Sequence, residues 1–230
     1  MSLFLSHAHL RRDCNLERLD QLLLPAQESA RIFAASILVA ALMSDNPKEK
    51  QGFLWREERP GVFSILSSRP PIGMSTIFDL NVKQFAPTLN VGNRVDFQLR
   101  ANPTITRPHG SGASLRRVDV IMDALHTVPF AERAKQRPTL IQSQGAAWLQ
   151  RQGDRHGFTA EFKNLQIGRY RQLQNPRSND PDNEISILEF EGTLVVNDPS
   201  AFLSAFTSGI GGKKTSGCGL LLMRTNVKDG

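Results

Sequence analysis

Glycine and lysine residues concentrate near the end of the chain, in the segment GIGGKKTSGCG over residues 209–219. Five of these eleven residues are glycines, and Lys213 and Lys214 stand side by side. Glycine lets backbone amides approach a ligand closely because it has no Cβ, and two adjacent ammonium groups favour an anion. We therefore predict that Gly211, Gly212, Lys213 and Lys214 bind phosphate groups.

The elements around this loop exclude the commonest nucleotide-binding loop. A Walker loop runs from a strand into a helix and places Ser or Thr directly after its lysine. Here an apolar, helix-like run over residues 201–206 precedes the loop, a strand-like run over 220–223 follows it, and Lys213 is followed by Lys214. The remaining alternatives are another kind of phosphate site and a basic turn without a ligand.

Charge and cysteine content narrow the class of protein. The chain carries 28 Lys and Arg against 22 Asp and Glu, a net charge of +6, which favours a polyanionic partner such as nucleic acid over an ordinary basic protein. Its two cysteines, Cys14 and Cys218, exclude a disulfide scaffold and a Cys-x-x-Cys metal pair, so we predict no cofactor and no bound metal. We expect a cytoplasmic protein without membrane contact, since neither a secretory signal nor a run of 18 apolar residues is present.

The order of predicted elements indicates two similar units. Alternation predicts a strand over residues 3–10, an apolar stripe predicts a helix over 25–43, and a turn at Pro60-Gly61 predicts a hairpin of 53–57 with 62–66. A short helical segment near 75–80 and a strand over 82–85 complete a βαββαβ unit. We place this first domain at residues 1–88, with a linker near Pro87–Gly92.

The second predicted domain, residues 93–230, repeats the pattern with a larger loop. Its strands are predicted over 94–100, 118–122, 158–173 and 185–196, its helix over 144–151, and a basic, mobile loop over 104–117. Asp198 and Pro199 are typical of an N-cap and a first helical position. The expected fold class is α+β, with tandem ferredoxin-like (RRM-like) domains built on antiparallel sheets.

Several stretches resemble CasE-type endoribonucleases, which cut CRISPR repeat RNA. These are EGTLVVNDP over residues 191–199, the glycine segment through Leu221, FQLRANP over 97–103 and AWLQR over 147–151. The resemblance implies tandem ferredoxin-like domains that bind a repeat hairpin and cleave it without metal at the 3′ base of the stem, by attack of a ribose 2′-OH. It also implies that the protein stays bound to this crRNA beside other CRISPR effector-complex subunits.

The first helix departs from the family, whose Tyr-x-x-His pattern supplies the proton-transferring histidine. Phe33 and Ser36 stand there instead, and three hypotheses follow. Arginines could replace the histidine by stabilising the phosphorane charge, as in CasE-like nucleases of type IV CRISPR systems, because arginine is too basic to carry protons. His7 or His9 could supply the base, or the protein could be a non-catalytic crRNA hairpin-binding subunit. The arginine hypothesis names Arg31, Arg12 and Arg224.

Further cations are candidates for RNA contact. Arg107, Arg116 and Arg117 cluster in the basic loop and are predicted to reach a groove of the stem, and Arg100 lies in the FQLRANP stretch. Tyr170 is the sole tyrosine, which disfavours an aromatic platform for single-stranded RNA. A basic adaptor without an RNA role is the competing function.

Overall fold

A computed structural model describes residues 2–11, 23–44, 52–73, 76–108, 115–174 and 184–225. Arg12 and Cys14 lie outside these ranges. Within them, no helix is long and apolar enough to cross a membrane.

The first unit is a four-stranded antiparallel sheet with one helix on its face. Its strands are β1 (Leu3–Leu10), β2 (Phe53–Arg59), β3 (Val62–Ser67) and β4 (Phe78–Phe85), and its helix α1 spans Glu28–Met43. The strand order β2-β3-β1-β4 is that of a ferredoxin-like domain. The helical segment predicted near 75–80 is wrong, because residues 78–80 pair with β1 as part of β4.

The second unit repeats this order. Its sheet runs β10 (Arg171–Leu173), β11 (Ile185–Val196), β5 (Arg94–Ala101) and β12 (Leu221–Thr225). The single strand predicted over 158–173 is wrong: three short strands, β8 (Phe158–Ala160), β9 (Gln166–Ile167) and β10, pair in turn with β11. The two sheets confirm the predicted fold class of tandem ferredoxin-like domains with antiparallel sheets.

Three helices belong to the second unit: α2 (Val120–His126), α3 (Arg133–His156) and α4 (Pro199–Ser208). Trp148 of α3 stacks on Phe190 of β11 with ring centroids 5.6 Å apart. The strand predicted over 118–122 is right for 118–119, the end of β7, and wrong from Val120, because Asp119 caps α2 and accepts from the amides of Ile121 and Met122. The predicted cap of α4 is confirmed, since Asp198 accepts from two amides of its first turn.

The described parts of the basic loop form two strands. β6 (Thr104–Pro108) and β7 (Leu115–Asp119) pair as a hairpin, in which Arg107 lies opposite Arg116. Residues 109–114 lie outside the described ranges.

The two units pack against each other. Phe85 of β4 stacks on Phe206 of α4 at 5.2 Å, and Leu54 and Leu66 are buried in the core of the second unit. The domain boundary between residues 88 and 93 remains a proposal, and it falls between the last strand of one sheet and the first of the other.

Candidate nucleic-acid interface

Glycine conformation shapes the loop between α4 and β12. Gly211 and Gly219 have φ angles of 89° and 93°, which side-chain-bearing residues rarely adopt. The Gly219 amide donates to the carbonyl of Arg100 at 2.8 Å, and the Ile210 amide donates to the carbonyl of Gly219 at 3.0 Å. The loop is therefore closed on itself and fixed to β5.

Lys213 sits in a strained backbone position at the tip of this loop. Among the described non-glycine residues it alone has a positive φ, 52°. Its carbonyl accepts from the amide of Ser216 at 2.9 Å, within a short 3₁₀ turn over Lys214–Ser216. Such strain collects at functional sites, where the surrounding structure maintains it.

Arg117 and Lys213 lie beside Gly212, and Lys214 lies close to Arg117. A Cβ on Gly212 would lie 2.6 Å from Oδ1 of Asn102 and 3.8 Å from Nη1 of Arg117, so both side chains come close to the Gly212 backbone. Burial first, and then the charge of Arg117, lowers the pKa of Lys214. Arg117 also lines a cavity of about 530 Å³ with Gly212 and Lys213, and Asp119, Asp123 and Glu184 are part of the same lining. Asp123 is paired with Arg107 and Asp119 accepts from the amides of α2, so Arg117 and Lys213 favour an anion at the Gly212 side of this cavity.

The other three arginines predicted to contact RNA lie in different surroundings. Arg116 lines the same cavity as Arg117. Arg107 is ion-paired with Asp123, Nη2 to Oδ2 at 2.7 Å, and this hydrogen bond raises the pKa of Arg107. Nη2 of Arg100 instead lies 3.1 Å from Oε1 of Glu189, on the neighbouring strand β11. Arg56 of the first unit contacts the same carboxylate. The structure thus brings Arg116 and Arg117 to the glycine loop and directs the Arg100 side chain elsewhere.

The family's histidine position lies in a small pocket on α1. Phe33 and Ser36 line it with Ser216 of the glycine loop and Gln174. The Ser36 hydroxyl donates to the carbonyl of Phe33 at 2.7 Å. Within the described ranges, the lining of this pocket includes no ionisable side chain, so hydroxyl groups occupy the place of the expected base.

Arg31 does not line this pocket. Its Nε lies 3.4 Å from Oε2 of Glu57, whose side chain is 7% exposed. Glu57 also accepts from the amide of Gly61, and burial raises the pKa of its carboxyl group. Arg31 is therefore engaged within the first unit.

Arg224 and His7 share a third location, a cleft of about 570 Å³ between the two sheets. Nδ1 of His7 lies 3.1 Å from the Ser64 hydroxyl, whereas His9 is exposed. Asp96 lies opposite Arg224 in the strand register and lines the cleft with Glu58 and Glu191. These carboxylates disfavour a phosphate there, although the cleft does bring two predicted residues together.

Sequence reasoning missed Asn102 and Ser216 as site residues. Asn102 lies within the FQLRANP stretch, and its Nδ2 donates to the carbonyl of Ser186 at 2.9 Å, which fixes the side chain beside Gly212. In the described part of the chain, no group of three or more His, Cys, Asp or Glu residues could hold a metal ion.

Comparisons with known proteins agree on one family. The model of the family described as "CRISPR associated protein" matches residues 3–225. The CRISPR system Cascade subunit CasE of Escherichia coli (strain K12) is 27% identical over 187 residues, which cover 78% of this chain and 85% of that protein. The structure of Thermus thermophilus Cse3 bound to an RNA representing a pre-cleavage complex aligns with a TM-score of 0.62 and 25% identity, covering 97% of this chain and all of that one. A second Cse3 structure, CRISPR endoribonuclease Cse3 bound to 19 nt RNA, aligns with a TM-score of 0.65, 22% identity and the same coverage.

Proposed function

The chain belongs to the family of CRISPR-associated proteins, and on that premise we propose that it binds the hairpin of a CRISPR repeat RNA and cuts precursor crRNA at the 3′ base of the stem. The observation that carries this proposal is the position of Arg117 and Lys213 beside Gly212, with Lys214 close enough to Arg117 for that charge to lower its pKa. Relatives named as a Cascade subunit and as an endoribonuclease support the same assignment.

In the proposed complex, the glycine loop and the base of the β6–β7 hairpin hold neighbouring phosphates. The Gly211 and Gly212 backbone lets a phosphate approach closely, and Lys213, Lys214 and Arg117 neutralise it. Arg116 and Arg107 extend this basic surface along the hairpin, and Arg107 would exchange Asp123 for a phosphate.

The proposed reaction is a transesterification that needs no metal. The ribose 2′-OH attacks the adjacent phosphorus, the bond to the 5′-oxygen of the next nucleotide breaks, and a 2′,3′-cyclic phosphate remains. General acid–base help in such a step is worth about 10²–10⁴-fold. Charge stabilisation by cations can substitute for part of it, which fits slow cutting of an RNA that stays bound.

The catalytic roles of Arg31, Arg12 and Arg224 remain proposals. Arg31 would need to leave Glu57, and Arg224 would need the scissile phosphate to enter the inter-sheet cleft beside His7. The hydroxyl-lined pocket of Phe33, Ser36 and Ser216 favours the second candidate function, a crRNA hairpin-binding subunit that does not cut.

In either role we propose that the protein remains on its hairpin within a CRISPR effector complex in the cytoplasm, where the transcript is made. The name of the Escherichia coli relative, a Cascade subunit, supports this assembly.

Incubation with the cognate repeat hairpin in EDTA tests the proposal. The matched control is the same RNA with a 2′-deoxy nucleotide at the 3′ base of the stem. Cutting of the first RNA alone supports the proposed endoribonuclease activity. The next experiment is then to replace Arg31, Arg224 and His7 one at a time and to measure cutting. Tight binding without cutting supports the hairpin-holding subunit, and absence of hairpin binding refutes both.

A further inference from the structure

Five charged side chains, distant in sequence, meet where α1 and β2 contact the second sheet. Glu189 of β11 accepts from Nη2 of Arg56 at 3.3 Å, Nε of Arg100 at 3.2 Å and Nη2 of Arg171 at 2.6 Å. Arg171 also pairs with Glu28 in the first turn of α1. Three guanidinium groups thus share two directly contacting carboxylates, and Glu58 and Glu191 are near enough for their charges to act on Arg56.

This arginine cluster also has unused hydrogen-bond donors. Nε and Nη1 of Arg56 and Nε of Arg171 are buried without a partner, and Arg56 is 9% exposed. Burial first, and then the charge of Arg100, lowers the pKa of Arg56. Buried donors are normally satisfied, so these three N–H groups can donate to a further acceptor.

A cavity of about 350 Å³ opens beside the cluster. Arg56 and Arg171 line its inner part, and the exposed Arg169 lies at its mouth. Two carboxylates, Glu189 and the exposed Glu191, also line it. Glu189 is already shared among three arginines, so its charge does not cancel theirs.

We propose that this cavity is a phosphate-binding site, separate from the glycine loop. The planar guanidinium fork matches a phosphate group in two parallel hydrogen bonds. The ligand is either a phosphate of the RNA strand flanking the stem, a source that rests on the proposed function, or free phosphate. The backbone of Arg100, whose side chain belongs to the cluster, is joined to the glycine loop, because its carbonyl accepts from the amide of Gly219.

The first arm of the test uses inorganic phosphate. Thermal unfolding is followed against potassium phosphate and against potassium chloride of equal ionic strength, in a Lys213→Ala/Lys214→Ala background that removes the loop lysines. We expect a saturable, phosphate-specific rise in Tm. Arg169→Ala should raise the half-saturating concentration several-fold and Glu191→Gln should lower it, while Arg94→Ala, an exposed arginine paired with Glu161, should leave it unchanged.

The second arm identifies the source of the phosphate. Otherwise native protein is titrated with the repeat hairpin carrying single-stranded flanks and with the same hairpin trimmed to its stem. A loss of about tenfold for Arg169→Ala on the flanked RNA alone, the effect of one charge-assisted contact, assigns the site to RNA. If Arg169→Ala binds both RNAs as tightly as the unaltered protein does, and phosphate still raises the Tm, the site is assigned to free phosphate.

Two results would overturn the site. In the first, the Tm responds alike to phosphate and chloride, and Arg169→Ala leaves the affinity for the flanked RNA unchanged. In the second, neither Arg169→Ala nor Glu191→Gln changes the half-saturating phosphate concentration. Both variants change exposed side chains, so the test does not depend on removing the buried Arg56. A protein that binds phosphate here but no hairpin would refute the proposed function and leave this site standing.

Discussion

Replacing both loop lysines tests the phosphate role of the glycine loop. The backbone of Lys213 is in a left-handed conformation and Lys214 is partly buried near Arg117, so the fold sets where both lysines start from the loop. A charge-assisted contact of this kind contributes about 1.5 kcal/mol, which is about tenfold in affinity. We expect Lys213→Ala/Lys214→Ala to weaken hairpin binding about 100-fold at about 50 mM salt.

Salt dependence gives the sharper prediction. Each phosphate neutralised contributes about 0.7–0.9 to the slope of log affinity against log salt, so losing two contacts makes the slope shallower by about 1.4–1.8. The 100-fold deficit should therefore narrow to about tenfold when salt rises from about 50 to about 200 mM. Fluorescence anisotropy with a labelled hairpin at several salt concentrations measures both quantities.

A variant of equal charge provides the control. Lys83 of β4 and Lys163 are exposed and line neither the glycine-loop cavity nor the arginine cluster's cavity. Lys83→Ala/Lys163→Ala should keep most of the affinity and of the slope. Equal losses of hairpin affinity in the two double variants would show that only net charge matters. They would contradict a specific phosphate site at the glycine loop.

Three further changes probe the framework around the site. Lys213→Gly should raise the free energy of unfolding by about 1 kcal/mol, because glycine adopts a positive φ without strain. The same variant should bind the hairpin more weakly, because the ammonium group is lost. Urea denaturation measures the first effect and fluorescence anisotropy the second. Asp198→Ala should cost about 1 kcal/mol through loss of the α4 cap, seen as a lower urea midpoint, and an unchanged midpoint would contradict the cap's role. Burial raises the pKa of Cys218 to about 12, so this thiol is protonated at pH 8. In a Cys14→Ser variant, Cys218 should therefore react with a disulfide reagent only after the protein unfolds. Fast labelling of the folded protein would contradict this.

Element order was predictable because hairpin turns and apolar alternation are local signals. The hairpin at Pro60-Gly61 and the long strand at Ile185–Val196 were predicted on that basis and are confirmed. Local propensity failed at Val120–Met122, where β-branched residues favour a continued strand. There the side chain of Asp119 caps two amides and begins α2 instead.

The glycine loop was predictable as a site because its residues are contiguous. Its partners were harder to find, since Asn102 and Arg117 approach Gly212 only through the fold. The arginine cluster could not be predicted, because Glu28, Arg56 and Glu189 come from different strands and helices and show no spacing pattern. The same applies to Arg31, whose pairing with Glu57 depends on how α1 packs on β2.

The chemical groups at the ends of the cut RNA distinguish the proposed 2′-OH attack from other cleavage chemistry. Precursor RNA is incubated with excess protein in EDTA, and the termini of the products are identified by mass spectrometry. We predict a 2′,3′-cyclic phosphate on the last nucleotide of the stem and a 5′-hydroxyl on the downstream fragment. Intact RNA, or a 3′-hydroxyl with a 5′-phosphate, would contradict this prediction.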